Sequence, residues 1–326
     1  MAPIKVAAVQ SASVAFDLPA TVHKLIALVG EAKQDGAQLV MFPEAFLGGY
    51  PRHLDFRIGA RTDADREWYS RYVAAGVRVP RDAVGRDWLA EQADVSHDFW
   101  AFAQLCKVAK EQQVHLSVGI IERSLVGATL WCCNILIGPT GILLSRHRKL
   151  QPTAAERVVW SQGEAVNKDG NNVSDNLPVV ATPLGRIGGL ICWENLMPLA
   201  RYVLYQKGVD IYTAPTADGR ITWLPSMQHI ALEGRCFVVS ANQYHTSKDY
   251  PEDYPAASAS TEEEVWSRGG SCIISPLGEV LAGPLWDKEG IIYAEIDVDT
   301  LAGAKLDFDP VGHYARGNLL TELIKG

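Results

Sequence analysis

Cys192 stands where an apolar run gives way to polar residues, in the segment GLICWENLMP at residues 189–198. A cysteine that only fills a core usually lies inside such a run, and an inert core thiol is the alternative interpretation. The strand-like segment RIGGLIC ends at Cys192, and Pro198 suits the first turn of a helix that would end near Gly208. Such a junction brings a sulfur near backbone N–H groups and the positive end of a helix dipole, which favour the thiolate. The position therefore predicts a nucleophile.

Glu44 lies in the segment LVMFPEAFLGGYP, directly after an apolar strand pattern that Pro43 ends. An isolated turn carboxylate is usually solvated, and that is the alternative interpretation. The residues around Glu44, such as Phe42 and Phe46, are nevertheless nearly all apolar or aromatic. Because desolvation raises the pKa of a carboxyl group, this environment predicts a general base.

Lys149 closes the basic run of the segment ILLSRHRKLQPTAAER. Strand alternation places Lys149 on the face opposite Arg146 and Arg148. We interpret the two arginines as a solvated strand end and predict that Lys149 points inward. A buried ammonium group needs a carboxylate partner, and Glu44 and Glu156 are the candidates.

Strand-like runs that alternate with helical patterns must position these side chains. Residues 22–36 have helical spacing of apolar side chains and end in a glycine, and three Pro-x-Gly turns each join two apolar runs, as in hairpins. The pattern therefore predicts an α/β protein with mixed sheets. The strand-like runs are IKVAAVQ, AQLVMFPE, VHLSVGIIE and LWCCNILIG.

The chain has 326 residues, and its formal charge of −8 disfavours nucleic acid and anionic lipid as partners. No apolar stretch reaches the roughly 20 residues of a membrane span, and the segment MAPIKVAAVQ has no secretory pattern. We therefore expect a cytoplasmic protein. The spacing of the six cysteines excludes a zinc ribbon.

Two polar segments interrupt the strand and helix pattern, at residues 167–177 and 246–266. Both are expected to be surface excursions. The second is long for an ordinary connection, so it is either a functional lid or an interface loop. With no internal repeat visible, we predict one domain that spans residues 1–326.

The segments FPEAFLGGYP, HRKLQPTAAER and ICWENLMPLARY occur in this order along the chain. Together they make the chain resemble the nitrilase branch of the carbon–nitrogen hydrolase superfamily, from about Val6 to the segment VGHYARGNLL. The resemblance implies a four-layer α-β-β-α sandwich with two mixed sheets. It also implies a core at residues 4–300, with residues 301–326 at an oligomer interface.

The resemblance also assigns roles to individual residues. Glu44 would be the general base, Lys149 would stabilise the developing anion, and Cys192 would be the nucleophile. Glu156 would position the lysine and the substrate, because the pattern K-L-x-P-T-x-x-E-R is intact. The implied reaction needs no metal or organic cofactor.

The implied chemistry hydrolyses a nitrile to a carboxylic acid and ammonia. Cys192 would attack the nitrile carbon to form a thioimidate, while Lys149 and the backbone N–H of Trp193 donate to the nitrogen. Water that Glu44 activates would release ammonia, and a second water would hydrolyse the remaining thioester. Early loss of the thiol would instead give an amide by-product.

We expect an aromatic pocket formed by Tyr50, Trp131, Trp193 and the segment APTADGRITW. Such a pocket favours an apolar or arylaliphatic nitrile. Cys132 and Cys133 point to opposite faces of a strand, and we interpret both as packing residues.

Other functions fit parts of the pattern. An amidase or carbamoylase of the same superfamily would share the glutamate, lysine and cysteine. A papain-like protease would need a catalytic histidine, but no local pattern singles one out, and we interpret the histidines as structural or surface residues. A non-catalytic oligomeric scaffold is the third alternative. For the enzyme we expect a homodimer or a modest homo-oligomer.

Overall fold

The computed structural model describes residues 2–52, 59–169, 172–258 and 262–325. Its strands are β1 (Ile4–Gln10), β2 (Leu39–Met41), β3 (His115–Arg123), β4 (Leu130–Ile137), β5 (Leu143–Arg148), β6 (Val166–Asp169), β7 (Asn172–Asp175), β8 (Val179–Thr182), β9 (Gly185–Gly189), β10 (Ile211–Thr213), β11 (Phe237–Ser240), β12 (Tyr244–Thr246), β13 (Val265–Ile274), β14 (Val280–Trp286) and β15 (Gly290–Ile296). Its α-helices are α1 (Leu18–Gln34), α2 (Asp63–Ala74), α3 (Trp100–Gln112), α4 (Pro198–Gln206), α5 (Trp223–Gly234), α6 (Pro255–Ser258), α7 (Leu301–Ala304) and α8 (Gly317–Lys325). Among these described helices, none is both long and apolar enough to cross a membrane.

Two mixed sheets form the centre of the molecule. The first has the strand order β15-β1-β2-β3-β4-β5, with parallel pairing from β1 to β3 and antiparallel pairing elsewhere. The second has the order β12-β13-β11-β10-β9-β8, with β14 paired to β13, and is parallel from β9 to β11. The predicted Pro-x-Gly hairpins correspond to β4–β5, β8–β9 and β13–β14. The prediction of mixed sheets is therefore confirmed.

Strand alternation divides the core into layers, as β1 illustrates. Ala7 and Val9 face the core formed with α1 and α3, whereas Val6 and Ala8 face the second sheet. On the other side of the molecule, α4 and α5 pack against the outer face of the second sheet. The order of layers is helix, sheet, sheet, helix, so the predicted α-β-β-α sandwich is confirmed.

Helix α1 follows from local sequence signals. The Asp17 side chain caps its N-terminus by accepting the Ala20 N–H, and Gly36 lies just beyond its end at a positive φ of 84°. Val22, Leu25 and other buried residues on one face pack on the first sheet. The helical pattern predicted at residues 22–36 is confirmed.

The two polar segments are more ordered than predicted. In the first, β6 and β7 form a hairpin, and Asn176 is fully buried. In the second, Tyr250 and Tyr254 stack and pack against Trp266, with Tyr254 only 2% exposed. The expectation of a surface excursion is therefore wrong around Tyr250 and Tyr254, because aromatic burial outweighs the polar composition around them. Residues 170–171 and 259–261 of these segments lie outside the described residues.

The ends of several strands meet at one edge of the two sheets. Glu44 follows β2, Lys149 follows β5, Cys192 follows β9, and Thr216 follows β10. Side chains distant in sequence thus come together where strands of both sheets end, which is where α/β folds commonly bind ligands.

Candidate active site

Three charged side chains from two of the segments form one buried cluster. The Lys149 Nζ lies 2.7 Å from the Glu44 Oε1 and 2.8 Å from the Glu156 Oε2. Glu44 and Lys149 are fully buried, and Glu156 is 3% exposed. Lys149 thus points inward and contacts both carboxylates that were candidates for its partner. Cys192 lies close enough to the cluster for its thiol to interact with Glu44.

The backbone around Glu44 is held from two sides. Its carbonyl oxygen accepts a hydrogen bond of 2.8 Å from the Gln243 Nε2. On the other side, Gly119 of β3 allows a close approach, since an added Cβ there would lie 2.1 Å from the Pro43 carbonyl oxygen. A larger residue at position 119 would displace the turn that carries the carboxylate.

The two oxygens of Glu44 have different surroundings. Oε1 accepts from Lys149 and, at 3.5 Å, from the Cys132 thiol. Within the described part of the chain, Oε2 makes no well-aligned hydrogen bond. Burial raises the pKa of Glu44, and the nearby charge of Lys149 only partly offsets that rise. The rise agrees with the sequence prediction, and Oε2 is the oxygen with capacity to accept a proton.

Cys192 begins a short 3-10 turn at Cys192–Leu196 and has a positive φ of 50°. Its backbone N–H donates to the Pro215 carbonyl oxygen, and its Sγ lies 3.2 Å from the Thr216 Oγ1. Burial, followed by the charge of Glu44, raises the pKa of the thiol. The prediction that the junction favours a thiolate is therefore wrong: α4 begins only at Pro198, and desolvation dominates, so the thiol needs a base.

Glu194 joins the segment of Lys149 to that of Cys192. Its Oε1 accepts the Leu150 N–H at 2.5 Å, and its Oε2 accepts the Ile191 N–H at 2.7 Å. Oε2 also lies 2.8 Å from the His147 Nε2. Because Leu150 follows Lys149 and Ile191 precedes Cys192, one carboxylate fixes the separation of the two functional groups.

The pair of His147 and Glu194 should make stability depend on pH. Burial lowers the pKa of His147, but the Glu194 carboxylate outweighs this effect and raises it, while His147 contributes to a lowered pKa of Glu194. The contribution of His147 is complete below its unfolded pKa of about 6.5 and is lost as pH rises through the raised value. The stabilising contribution of Glu194 is lost as pH falls through its lowered pKa. In urea titrations, the stability advantage of wild type over His147→Gln should therefore shrink from pH 6 to pH 9.

A matched control exists for this measurement. His229 is exposed and lies 3.8 Å from Glu233, so His229→Gln should change the unfolding free energy little at any pH. An advantage over His147→Gln that stays constant across this range would contradict the ionised pair.

A cavity of about 450 Å³ opens at Cys192 and Glu156. Tyr50 and Trp193 lie on its wall, as do Trp266 and the residues 217–220. The Tyr50 hydroxyl donates to the Glu156 Oε1 at 2.7 Å. The wall also carries three arginines, namely Arg52, Arg220 and Arg268. The size is within the usual range for small-molecule sites.

Charged groups on the cavity wall are largely paired with neighbours. The Trp193 Nε1 donates to the Asp218 Oδ2 at 2.9 Å, and Arg220 pairs with the same carboxylate. The Arg220 guanidinium also lies 4.6 Å from the Trp193 ring centroid. Arg268 pairs with Asp287. The cavity wall thus combines paired charged groups with aromatic rings, and arginines pack over two of these rings, those of Tyr50 and Trp193.

Trp131 does not line this cavity. It lies on the opposite face of β4, where the Arg148 guanidinium packs over its ring at 4.0 Å. Adjacent Cys132 instead reaches Glu44, so interpreting it only as a packing residue missed this contact. Successive residues of β4 face opposite sides of the sheet, so only one of Trp131 and Cys132 can face the site. The sequence alone did not show which of the two faces is inward.

The prediction of a solvated strand end is wrong for Arg146. This residue is 2% exposed, and its guanidinium lies 3.1 Å from Glu122 of β3. Arg148 pairs with the same carboxylate at 2.6 Å. The neighbouring strand supplies a buried partner, which no local pattern in the basic run reveals.

Sequence reasoning also missed Thr216, Glu194, Gln243 and Trp266. Glu194 lies two residues after Cys192 in a quoted segment, and Thr216 lies in the segment APTADGRITW that was expected to line the pocket, so these placements were the available signals. Gln243, just before β12, and Trp266, in β13, reach the site from segments that carried no chemical pattern. In the described residues, no group of three or more His, Cys, Asp or Glu side chains is arranged to hold a metal ion.

Comparisons with known proteins agree with this geometry. The family model for carbon–nitrogen hydrolases matches residues 5–306. The chain belongs to the carbon–nitrogen hydrolase family. It is 44% identical to a bifunctional nitrilase/nitrile hydratase, NIT4A of Lupinus angustifolius, over 99% of this chain and 86% of the relative. It is 43% identical to an aliphatic nitrilase of Sinorhizobium fredii (strain HH103), over 97% of this chain and 94% of the relative.

These relatives place the carbon–nitrogen hydrolase in the nitrilase branch of its superfamily, so the chain is an enzyme that hydrolyses carbon–nitrogen bonds. Its fold is similar to that of a solved carbon–nitrogen hydrolase from Helicobacter pylori G27, with a TM-score of 0.71, 18% identity and 99% of each chain covered. An amidase from Nesterenkonia sp. shares the fold, with a TM-score of 0.64 and 18% identity over 98% of this chain and 96% of that chain.

Proposed function

We propose that the protein is a nitrilase that converts a nitrile to a carboxylic acid and ammonia through covalent intermediates on Cys192. The observation that carries the proposal is the buried contact of Lys149 with both Glu44 and Glu156 beside the Cys192 thiol. The nitrilase relatives support the substrate class. No metal or organic cofactor takes part in the proposed reaction.

The first step is attack of Cys192 on the nitrile carbon. A protonated thiol is a weak nucleophile, so its proton passes to the Oε2 of Glu44 as the carbon–sulfur bond forms. The nitrile nitrogen gains electron density and accepts hydrogen bonds from Lys149 and the backbone N–H of Trp193. Preorganised donors of this kind are worth roughly 3 kcal/mol each in a transition state. Glu44 then gives this proton to the nitrogen, so the product is a neutral thioimidate, C(=NH)–S, which retains all atoms of the nitrile and the thiol.

Hydrolysis of the thioimidate follows in two steps. Glu44 removes a proton from a water molecule that adds to the carbon and passes it to the nitrogen, which gives a tetrahedral species with OH, NH₂ and S substituents. Transfer of the hydroxyl proton to nitrogen through Glu44 releases ammonia as the carbonyl group forms and leaves a thioester, which a second water molecule hydrolyses to the acid and the free thiol. If the same tetrahedral species loses the thiol first, it becomes an amide, so we propose an amide by-product.

Glu156 acts by positioning in this scheme. It binds Lys149 on one oxygen and the Tyr50 hydroxyl on the other, which links the charged cluster to the cavity wall. The aromatic rings of Tyr50 and Trp193 support an apolar or arylaliphatic nitrile as the substrate.

We also propose a cytoplasmic, single-domain enzyme that forms a homodimer or a modest homo-oligomer. Its partners would be the nitrile and copies of itself, without nucleic acid or membrane. The helix α8 in residues 301–326 exposes several apolar side chains, which supports a contact between copies there: Leu319, Leu320, Leu323 and Ile324.

The proposal predicts that a panel of nitriles releases ammonia faster than the matching amides do. The panel should include aryl, arylalkyl and alkyl members, and both ammonia and organic products should be quantified. Intact-mass measurement with a slow nitrile, followed by peptide mapping, should place a substrate-sized adduct on Cys192. Faster turnover of the amides throughout the panel would favour an amidase instead.

A further inference from the structure

Thr216 contacts the reacting sulfur atom from the second sheet. It follows β10, is fully buried, and its Oγ1 lies 3.2 Å from the Cys192 Sγ. The reaction scheme above assigns no task to this hydroxyl group. Its direct contact with the nucleophile indicates that it acts on the charge of the sulfur.

Local hydrogen bonds determine how the Thr216 hydroxyl group is oriented. Its oxygen accepts the Asp218 N–H at 3.0 Å, and the Thr216 backbone N–H donates to the Ala241 carbonyl oxygen at 3.0 Å. Because the oxygen is already an acceptor on one side, the hydroxyl proton is free to point at the sulfur. The hydroxyl therefore donates to Cys192, and burial leaves water little access to replace it.

We propose that Thr216 is a further catalytic residue, whose hydroxyl stabilises the Cys192 thiolate both as nucleophile and as leaving group. The leaving-group role rests on the proposed nitrilase function. On attack, the thiol proton moves to Glu44 while Thr216 keeps its own proton and donates a hydrogen bond to the sulfur. No covalent bond to Thr216 forms or breaks, so the reaction balance is unchanged.

The leaving-group role has a consequence at the tetrahedral species. Loss of ammonia requires a proton on nitrogen, whereas loss of the thiolate requires charge stabilisation at sulfur. A donor on the sulfur favours the second route and so increases the share of amide. Thr216 is thereby expected to bias the ratio of amide to acid.

The first experiment measures alkylation of Cys192 by iodoacetamide across pH 6–10, with peptide mapping to assign the site. Thr216→Val keeps the shape of the side chain but removes the hydroxyl group. A hydrogen bond to a charged group commonly changes an equilibrium by about tenfold or more, so the variant should hold about tenfold less thiolate at every pH of this range. Alkylation at pH 7.5 should slow by about tenfold, and Thr216→Ser should restore the wild-type profile.

The matched control is Thr213→Val, which removes a buried hydroxyl at the end of β10 that lies 3.5 Å from the Gly188 carbonyl oxygen. It should leave the alkylation profile unchanged. The charged groups that influence Cys192 are the same in all these variants: Glu44, Lys149, Glu156 and Arg220. A wild-type alkylation profile in Thr216→Val would overturn the proposal. That result is expected if the hydroxyl group serves only to accept the Asp218 N–H, because loss of this contact alone would change KM but not the alkylation rate of Cys192.

The second experiment measures the ratio of amide to acid formed from each nitrile. It should fall several-fold in Thr216→Val and recover in Thr216→Ser. An equal ratio in wild type and Thr216→Val, including acid alone from both, overturns the leaving-group role. The alkylation assay needs no substrate, so it still tests the contact with the sulfur if the nitrile assignment fails.

Discussion

Replacement of Cys192 by alanine should lower turnover of a nitrile by about 10⁶-fold, because a covalent mechanism cannot proceed without its nucleophile. The variant should still bind substrate, since the walls of the cavity and the cluster around Lys149 are untouched. Intact-mass measurement should detect no adduct with a slow nitrile. Ammonia release from a concentrated sample quantifies the residual rate.

Cys236 provides the control for this loss. It is also a fully buried cysteine, but it belongs to the core between the second sheet and helices α4 and α5. Cys236→Ala should lower stability slightly and leave the reaction rate near that of wild type. If Cys192→Ala retained turnover or Cys236→Ala abolished it, the proposed nucleophile would be wrong.

The sequence allowed the main features of the fold to be predicted, because apolar periodicity and turns are local signals. The strands β1 to β4 and the helix α1 lie where their patterns predicted them. Four layers came only from the family resemblance, since no local pattern determines how two sheets face each other. Val6 of the first sheet and Ile187 of the second belong to one hydrophobic core between the sheets. Only tertiary packing determines that they meet there.

Errors about the site have two physical origins. One is strand parity, which placed Trp131 outside the cavity and brought Cys132 to the carboxylate of Glu44. The other is the balance between burial and local dipoles at Cys192. Position after a strand was taken to favour the thiolate, but burial raises the pKa of the Cys192 thiol, and the helix α4 begins only at Pro198.

Replacement of Lys149 by methionine should affect both stability and activity. Removal of one member of a buried ion pair usually costs 3–5 kcal/mol, and we expect a loss of about this size at pH 8. Removal of an oxyanion donor should also lower kcat by about 10²–10³-fold. Lys24→Met is a matched control, because its Nζ lies at the same 2.7 Å from a carboxylate, that of Glu289, but the pair is exposed. Its effect on stability should be below about 1 kcal/mol.

The stability loss in Lys149→Met should grow as pH rises. Burial already raises the pKa of Glu44, and the positive charge of Lys149 is what opposes that rise. Without it, the folded protein holds a proton on Glu44 that the unfolded chain releases above a pKa of about 4.3, so stability falls with increasing pH. Urea titrations from pH 5 to pH 9 measure this slope.

A double variant separates the electrostatic cost from the catalytic loss. The double variant Glu44→Gln/Lys149→Met removes both charges of the pair, so no Glu44 carboxylate is left buried without its partner. Part of the unfolding free energy that is lost in Lys149→Met should therefore return. Activity should not return, because the double variant lacks both the base and the anion stabiliser. If the stability losses of the two single variants simply added, the 2.7 Å contact between Lys149 and Glu44 would not be an energetic pair. Recovery of stability without recovery of turnover would mean that the two side chains are energetically coupled and that the reaction needs both of them.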